Sequence, residues 1–198
     1  MRTVDPAKHA ARRRQILDAA AGVFAARGFD ATTVAEICKA ASTGSGTLFH
    51  YFSDKAAVFR AIFEDDHEHF LTELAAIDTA DPAEEFWKIV DLISRDAADP
   101  ASGGLVIAML ARLPQDPDLV AVLLAGDEAA ITRLTGAITR LQRRGEADPS
   151  LPAEHAARWV SSIVDGLYLR CGDPGFDPET ELRTLRLVLS RFLFHDAS

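Results

Sequence analysis

Twenty-three residues, Thr33 to Lys55, constrain the fold of this chain more than any other stretch: TVAEICKAASTGSGTLFHYFSDK. Thr33 and Glu36 stand three apart, the spacing of a capping box, in which hydroxyl and carboxylate each satisfy a free backbone N–H at a helix start. Val34, Ile37, Cys38 and Ala41 then recur at i, i+3, i+4 and i+7, the buried face of a helix. The small residues of STGS break that helix. A brief second helix is expected around residues 47–51, and Asp54 caps a long third one. Two short helices across a tight turn make a helix-turn-helix, whose second helix enters the major groove of duplex DNA while the first crosses the backbone.

The rest of the chain reads as helix as well. Asp5-Pro6 is an N-cap followed by proline at the first helical position. Ile16, Ala20, Val23 and Phe24 share one face of a helix ending near Gly28, where glycine suits a helix stop. The helix after Asp54 carries Phe59, Ile62, Phe63, Phe70, Leu71 and Leu74. Further helices are expected near 82–98, 102–112, 117–145, 152–172 and 178–195, separated by Asp-Pro, Leu-Pro and Gly-Asp-Pro breaks. No stretch alternates as a strand would. The expectation is an all-α fold of about nine helices, with a three-helix head (residues 1–57) on a larger body (residues 58–198).

Charge separates the two parts. The chain as a whole carries -9, yet residues 1–57 hold eight Lys or Arg against five Asp or Glu, a net +3. A basic head on an acidic body suits a phosphate partner that meets only the head. No apolar run reaches the ~18 residues that would cross a bilayer, and the basic N-terminus has no apolar core behind it, so a cytoplasmic location is expected. Cys38 and Cys171 lack metal-binding spacing and read as small core residues. No metal or other cofactor is expected.

Within the helix-turn-helix, Thr43, Ser45, Thr47, His50 and Tyr51 are residues short or polar enough to meet bases and phosphates. Gly44 and Gly46 allow close approach, and Leu48 and Phe52 pack inward. Lys55 offers a cation and a helix N-terminus for phosphate. Arg12, Arg13 and Arg14 could reach flanking phosphates or the minor groove.

These residues carry a resemblance. Residues 13–60, through ILDAAAGVFAARGFDATTVAEI and GTLFHYFSDKAAVF, resemble the DNA-binding domain of the TetR family of transcriptional repressors. The resemblance implies a homodimer that binds a near-palindromic operator and is released by a small-molecule effector. By position it implies that Thr33 contacts phosphate, that Ser45, Thr47 and His50 face bases or nearby phosphates, and that Tyr51 and Lys55 grip the backbone. Gly46 and Arg13 complete the expected DNA-binding set. The chain departs from the family pattern at Ala41-Ser42-Thr43-Gly44, where Gly44 replaces a capping serine and leaves Thr43 or Ser45 to satisfy the helix. Phe49 stands where tyrosine is frequent and removes a phosphate contact.

The body should supply pairing and control. Ala156, Trp159, Val160, Ile163, Val164, Leu167, Tyr168 and Cys171 form an apolar stripe, beside a small-residue face of Ser162, Asp165, Gly166 and Leu169. The last helix is apolar nearly all round, as Leu182, Leu185, Leu187, Val188, Leu189, Phe192, Leu193 and Phe194 show, which calls for a partner outside the protomer. Ser162, Gly166, Leu169, Leu185, Leu189 and Phe192 are the expected dimer contacts. For a mainly hydrophobic effector, Asp66 and His67 interrupt the apolar stripe after Asp54 and would orient it between Phe63, Phe70, Trp87, Met109 and Trp159. The competing reading, an all-helical enzyme or ligand carrier that does not bind DNA, finds no paired carboxylates at convincing spacing, no nucleophile arrangement and no phosphate-binding glycine loop.

Overall fold

The computed structural model of the chain describes residues 5–194. Among them lie nine α-helices and no strand: α1 Pro6–Ala31, α2 Val34–Ala40, α3 Ser45–Tyr51, α4 Lys55–Ala76, α5 Pro82–Ser94, α6 Pro100–Arg112, α7 Pro117–Arg144, α8 Ala153–Tyr168 and α9 Pro178–Leu193. Residue 195, the last of the expected final helix, lies outside the described residues. Short 3₁₀ turns follow α5 and α6.

An aspartate-proline step begins several of these helices. Asp5, Asp81 and Asp177 each accept a first-turn N–H, from Ala7 at 3.1 Å, Ala83 at 3.2 Å and Thr180 at 3.0 Å. Asp116 does the same for Leu119 ahead of Pro117. The carboxylate satisfies an orphan donor while proline presets the helical φ at no hydrogen-bond cost. Near its end α1 breaks at Gly28, whose φ of +74° lies in the region that only glycine enters freely. The Thr32 hydroxyl donates to the Gly28 carbonyl at 2.7 Å and closes that turn.

The helices gather into two compact units. The first comprises residues up to Asp66 together with Gly104–Val122. Ile16, Leu17, Ala20 and Phe24 of α1 meet Ile37 of α2, Leu48 of α3 and Val58, Phe59 and Ile62 of α4 in its core. Phe24 and Phe29 both stand edge-on to Phe59, at 4.8 and 5.2 Å between centroids. Charged pairs bind the outer helices: Arg13 and Arg14 hold Asp65 at 2.9 and 3.4 Å, and Arg60 reaches Asp116 and Asp118 at 3.3 and 2.7 Å. The early part of α6 lies so close to α1 that a Cβ at Gly104 would fall 2.2 Å from the Ala25 carbonyl oxygen.

The second unit holds His67–Gly103 and the chain from Leu123 onward. Its core is built from Phe86, Ile89, Val90, Leu134, Ile138, Leu141, Val160, Val164, Leu185 and Leu189. One charge is buried there. The Glu85 carboxylate accepts from Arg133 at 2.7 and 3.0 Å and from Arg140. Arg133 also donates to the carbonyls of Leu74 and Ile77, closing the end of α4. Cys38 and Cys171 are both buried and free, as small core residues should be.

Asp165 is exposed on α8, and its carboxyl is pushed above its ordinary 3.8 by partial loss of hydration and then by the charge of Asp127. A raised carboxyl pKa means that the charged form costs native stability, a cost present above the folded pKa and relieved as pH falls toward the unfolded value. Asp165→Asn should therefore melt higher than wild type at pH 7, with the gain shrinking as pH is lowered toward 4. A pH-independent difference in melting temperature would contradict this origin.

Candidate nucleic-acid interface

The capping box forms as the spacing requires. The Thr33 hydroxyl accepts from the Glu36 N–H at 3.3 Å, and the Glu36 carboxylate accepts from the Thr33 N–H at 2.8 Å. That bonding, the hydroxyl donation first, holds the Glu36 carboxyl below its ordinary value, with Arg27 adding at 3.0 Å. Helix α3 is different. Its N-cap residue is Gly44, and no side chain caps it, so its first N–H groups are left for water or phosphate oxygens. Ser45, Gly46, Thr47, Phe49 and His50 are exposed on α3, while Leu48 and the following Phe52 are buried. A Cβ at Gly44 or Gly46 would meet nothing within 4 Å, so the approach to the helix start is open.

Two aromatic side chains of α3 are not free-standing. His9 of α1 lies 4.5 Å from the Tyr51 ring and 5.9 Å from that of His50, and His50 and Tyr51 are 5.3 Å apart. Nothing in the spacing of the sequence links His9 to the recognition helix; only the crossing of α1 over α3 does.

Three of the expected DNA contacts have other work. Lys55 donates to the carbonyls of Phe29, Thr32 and Asp30 at 2.7, 2.8 and 3.4 Å, and its ammonium lies 4.4 Å from the Phe29 centroid. An ammonium has three donors, and here each faces a carbonyl at the end of α1, that of Phe29 shared with the Thr32 N–H. The N-terminus of α4 is likewise occupied, because Asp54 accepts from the Ala57 N–H at 2.8 Å. That bond is the largest cause of the lowered Asp54 pKa. Arg13 is held by Asp65 and lies 5.6 Å from the Phe52 ring. Arg12 donates to Gln15 and to the Ser42 carbonyl. Thr43 caps nothing: its hydroxyl is buried without a hydrogen-bond partner. Ser45, Gly46, Thr47 and His50 keep the exposure their role needs, and Thr33 is exposed with its hydroxyl engaged by Glu36. Lys39, exposed in the last turn of α2, is a cation the sequence reading passed over.

In the body, α8 turns His155, Trp159, Ser162, Gly166 and Leu169 outward, at i, i+4, i+7, i+11 and i+14. Trp159 and Leu169 are 52% and 56% exposed, and Leu187 and Val188 of α9 are 50% and 42% exposed. Leu185 and Leu189 are not on this surface. Both are buried in the protomer's own core, Leu189 completely, because α9 lays its 185–189–193 edge against α5 and α8. Phe192 is half-buried and packs on that core.

The expected effector residues are divided between the two units. Phe63 packs on Phe59 at 5.2 Å, and with Asp66 and Met109 it belongs to the first unit. Trp87 stacks with Phe194 at 5.8 Å beneath Arg186. Trp159, on the surface, donates its indole N–H to His155 at 3.0 Å. His67 sits against Gly126, where a Cβ would stand 3.2 Å from its Nδ1, and Phe70 packs on the second unit's core. Within the second unit lies a groove of about 480 Å³ between α4 and α7, floored by Leu71, Leu74, Ala75, Ala125 and Ala129, with Thr132 beside them and Glu128 and Arg133 as its charges.

Comparison with known proteins agrees with this geometry. The profile for bacterial regulatory proteins of the tetR family matches residues 16–62, and that for the C-terminal part of BetI-type transcriptional repressors matches residues 82–193. The HTH-type transcriptional repressor Rv1474c of Mycobacterium tuberculosis is 32% identical over 183 residues, 90% of this chain and 91% of the relative. Among solved structures, Salmonella enterica GusR is 26% identical with a TM-score of 0.68, covering 91% of this chain and 94% of that one. A TetR transcription regulator from Haloarcula marismortui is similar in fold, with a TM-score of 0.78 at 20% identity, covering 92% and 96%.

Proposed function

We propose, from the premise that this chain belongs to the tetR family of bacterial regulatory proteins, that it is a cytoplasmic homodimeric repressor released from its operator by a small, mainly hydrophobic effector. DNA-binding transcriptional regulation belongs to the family; pairing and release by an effector are the parts proposed. The observation that carries it is the exposed face of α3, where Ser45, Gly46, Thr47 and His50 surround an uncapped, unobstructed helix start. In this reading the head through residue 57 meets DNA and the body from residue 58 pairs and senses. The role is regulatory rather than catalytic.

Pairing is supported by the outward stripe of α8 beside Leu187 and Val188, an apolar surface with small residues at its centre. Such a surface is suited to close helix approach across a two-fold axis. Effector binding is supported by the groove between α4 and α7. Helix α4 runs unbroken from Lys55 to that groove, so a ligand preferring one setting of α4 would shift the populations that the recognition helices sample. Among the described residues no helix is long and apolar enough to cross a membrane, and no cluster of three metal-ligating side chains occurs.

The direct test is retardation of a duplex from immediately upstream of the chain's own gene by the purified protein. Failure to retard that duplex or any selected one would end this reading. Affinity should fall steeply with salt, because phosphate neutralisation releases counterions. Lys39→Ala is expected to weaken binding to all sequences alike. It should also shallow the log–log salt slope by about 0.9 per lost phosphate contact, roughly two for a dimer. Thr47→Ala or His50→Ala should instead change base preference. A salt slope untouched by Lys39→Ala would remove that residue from the phosphate contacts.

A further inference from the structure

Phe49 is 50% exposed on α3. Among the described residues of the first sixty-six, no other large apolar side chain is so uncovered. No other ring of the described residues packs on it, although His9, His50, Tyr51 and Phe52 all share ring contacts nearby. Solvent gains nothing from such a ring, and a phenyl group, unlike a phenol, makes no hydrogen bond to phosphate.

Its neighbours on the helix surface are Ser45 and Gly46, four and three residues before it. A helical side chain leans toward the N-terminus and covers the turn before its own Cα. The ring therefore leans toward the Gly46 turn, where a Cβ would meet nothing within 4 Å, and leaves the space over that glycine open. This is also the end of a recognition helix that meets base edges. In the major groove the base edges present donors, acceptors and one apolar feature, the 5-methyl group of thymine.

We propose that Phe49 is a specificity-determining residue that reads thymine through its 5-methyl group, once in each operator half-site. The inference rests on α3 being the recognition helix and adds the base and the group that it recognises. Phe49 turns the missing phosphate contact into a hydrophobic one. Ser45, Thr47 and His50 are left to read hydrogen-bonding edges around it.

The test uses a duplex selected by the full-length protein from a pool with a randomised core. Each thymine is then replaced singly by deoxyuridine, which removes the methyl group and leaves the base pair intact. Wild type should lose about fourfold in affinity at one thymine of each half-site, the factor for uncovering one methyl group, and roughly tenfold or more when both are replaced. F49A should bind the thymine duplex more weakly and show no uracil effect at that position, and F49Y, which keeps the ring, should retain the effect. Melting temperature should be the same in all three proteins, and affinity for an unrelated duplex the same in wild type and F49A. Wild type indifferent to uracil at every position, or F49A as sensitive as wild type, would overturn the proposal. Should no duplex be enriched at all, it is the DNA-binding reading that fails, with Phe49 falling alongside it.

Discussion

Arginine at Gly166 is expected to give a folded monomer that binds operator at least about a hundredfold more weakly than wild type. Within its own protomer Gly166 is exposed, and a Cβ there meets nothing within 4 Å. The substitution therefore leaves the fold of the single chain alone. If α8 and α9 pair across a two-fold axis, the arginine is duplicated at the centre of the interface and buried without a partner, which opposes association by several kcal/mol. Operator binding then loses the linkage between two half-sites, worth about 10² to 10⁴ in affinity. Light scattering and retardation on one preparation measure both effects, and circular dichroism confirms that the monomer is folded. A dimer that survives in Gly166→Arg places the interface elsewhere. Leu189 cannot serve the same purpose. It is completely buried in the protomer core, so a charge there unfolds the chain before it reports on pairing.

The second large effect is expected at Lys55. Lys55→Met keeps an apolar stem against Phe29 but removes the ammonium's bonds to the carbonyls of Asp30 and Thr32 and leaves that of Phe29 with the Thr32 N–H alone. Charge-assisted bonds of this kind are worth about 1.5–3 kcal/mol. A loss of roughly 2–3 kcal/mol in stability should follow, seen as an earlier thermal transition. Operator affinity should fall because the start of α4 is no longer tied to the end of α1, from which the chain enters the helix-turn-helix. The salt dependence should keep its slope. A lysine that neutralised phosphate would behave in the opposite way, with a shallower slope and an unchanged melting temperature. Measured together, slope and melting temperature decide between the two roles.

The contrast between these two positions shows what was legible in the sequence. Helix starts could be read because their chemistry is local: Thr33 with Glu36, and aspartate before proline at residues 5, 81 and 177, bond within four residues of themselves. Gly28 breaks α1 three residues short of its end for the same local reason. The exposed face of α3 followed from Leu48 and Phe52 being its apolar positions. Lys55 and Arg13 could not be read this way. Their partners are carbonyls 23 to 26 residues back and a carboxylate 52 residues ahead, and a bare cation in sequence looks alike whether it faces a phosphate or a helix end. On α8 the apolar stripe absorbed both Trp159 and Val160, one residue and some 100° apart, yet only Val160 points inward. On α9 apolar residues occur all round the helix, so periodicity could not say that 185 and 189 face the core and 187 and 188 face outward. The groove proposed for the effector was least legible, since part of its floor is made by Ala125 and Ala129 of α7, whose smallness carries no signal in sequence.

The tight approach of Gly104 to α1 has a consequence for inheritance. A Cβ at that position already collides with the Ala25 carbonyl oxygen at 2.2 Å, so alanine and tryptophan offend the same backbone atom. Alleles at codon 104 should form a single class rather than a graded series, unlike those at codon 22, where a Cβ meets nothing within 4 Å. Such chains would carry a damaged head and intact α8 and α9. If pairing runs through α8 and α9 as proposed, they would pair with normal subunits and poison them, making the defect dominant in a cell that also carries a good copy. An arginine allele at codon 166 withdraws from pairing altogether, and in the same cell it should be recessive.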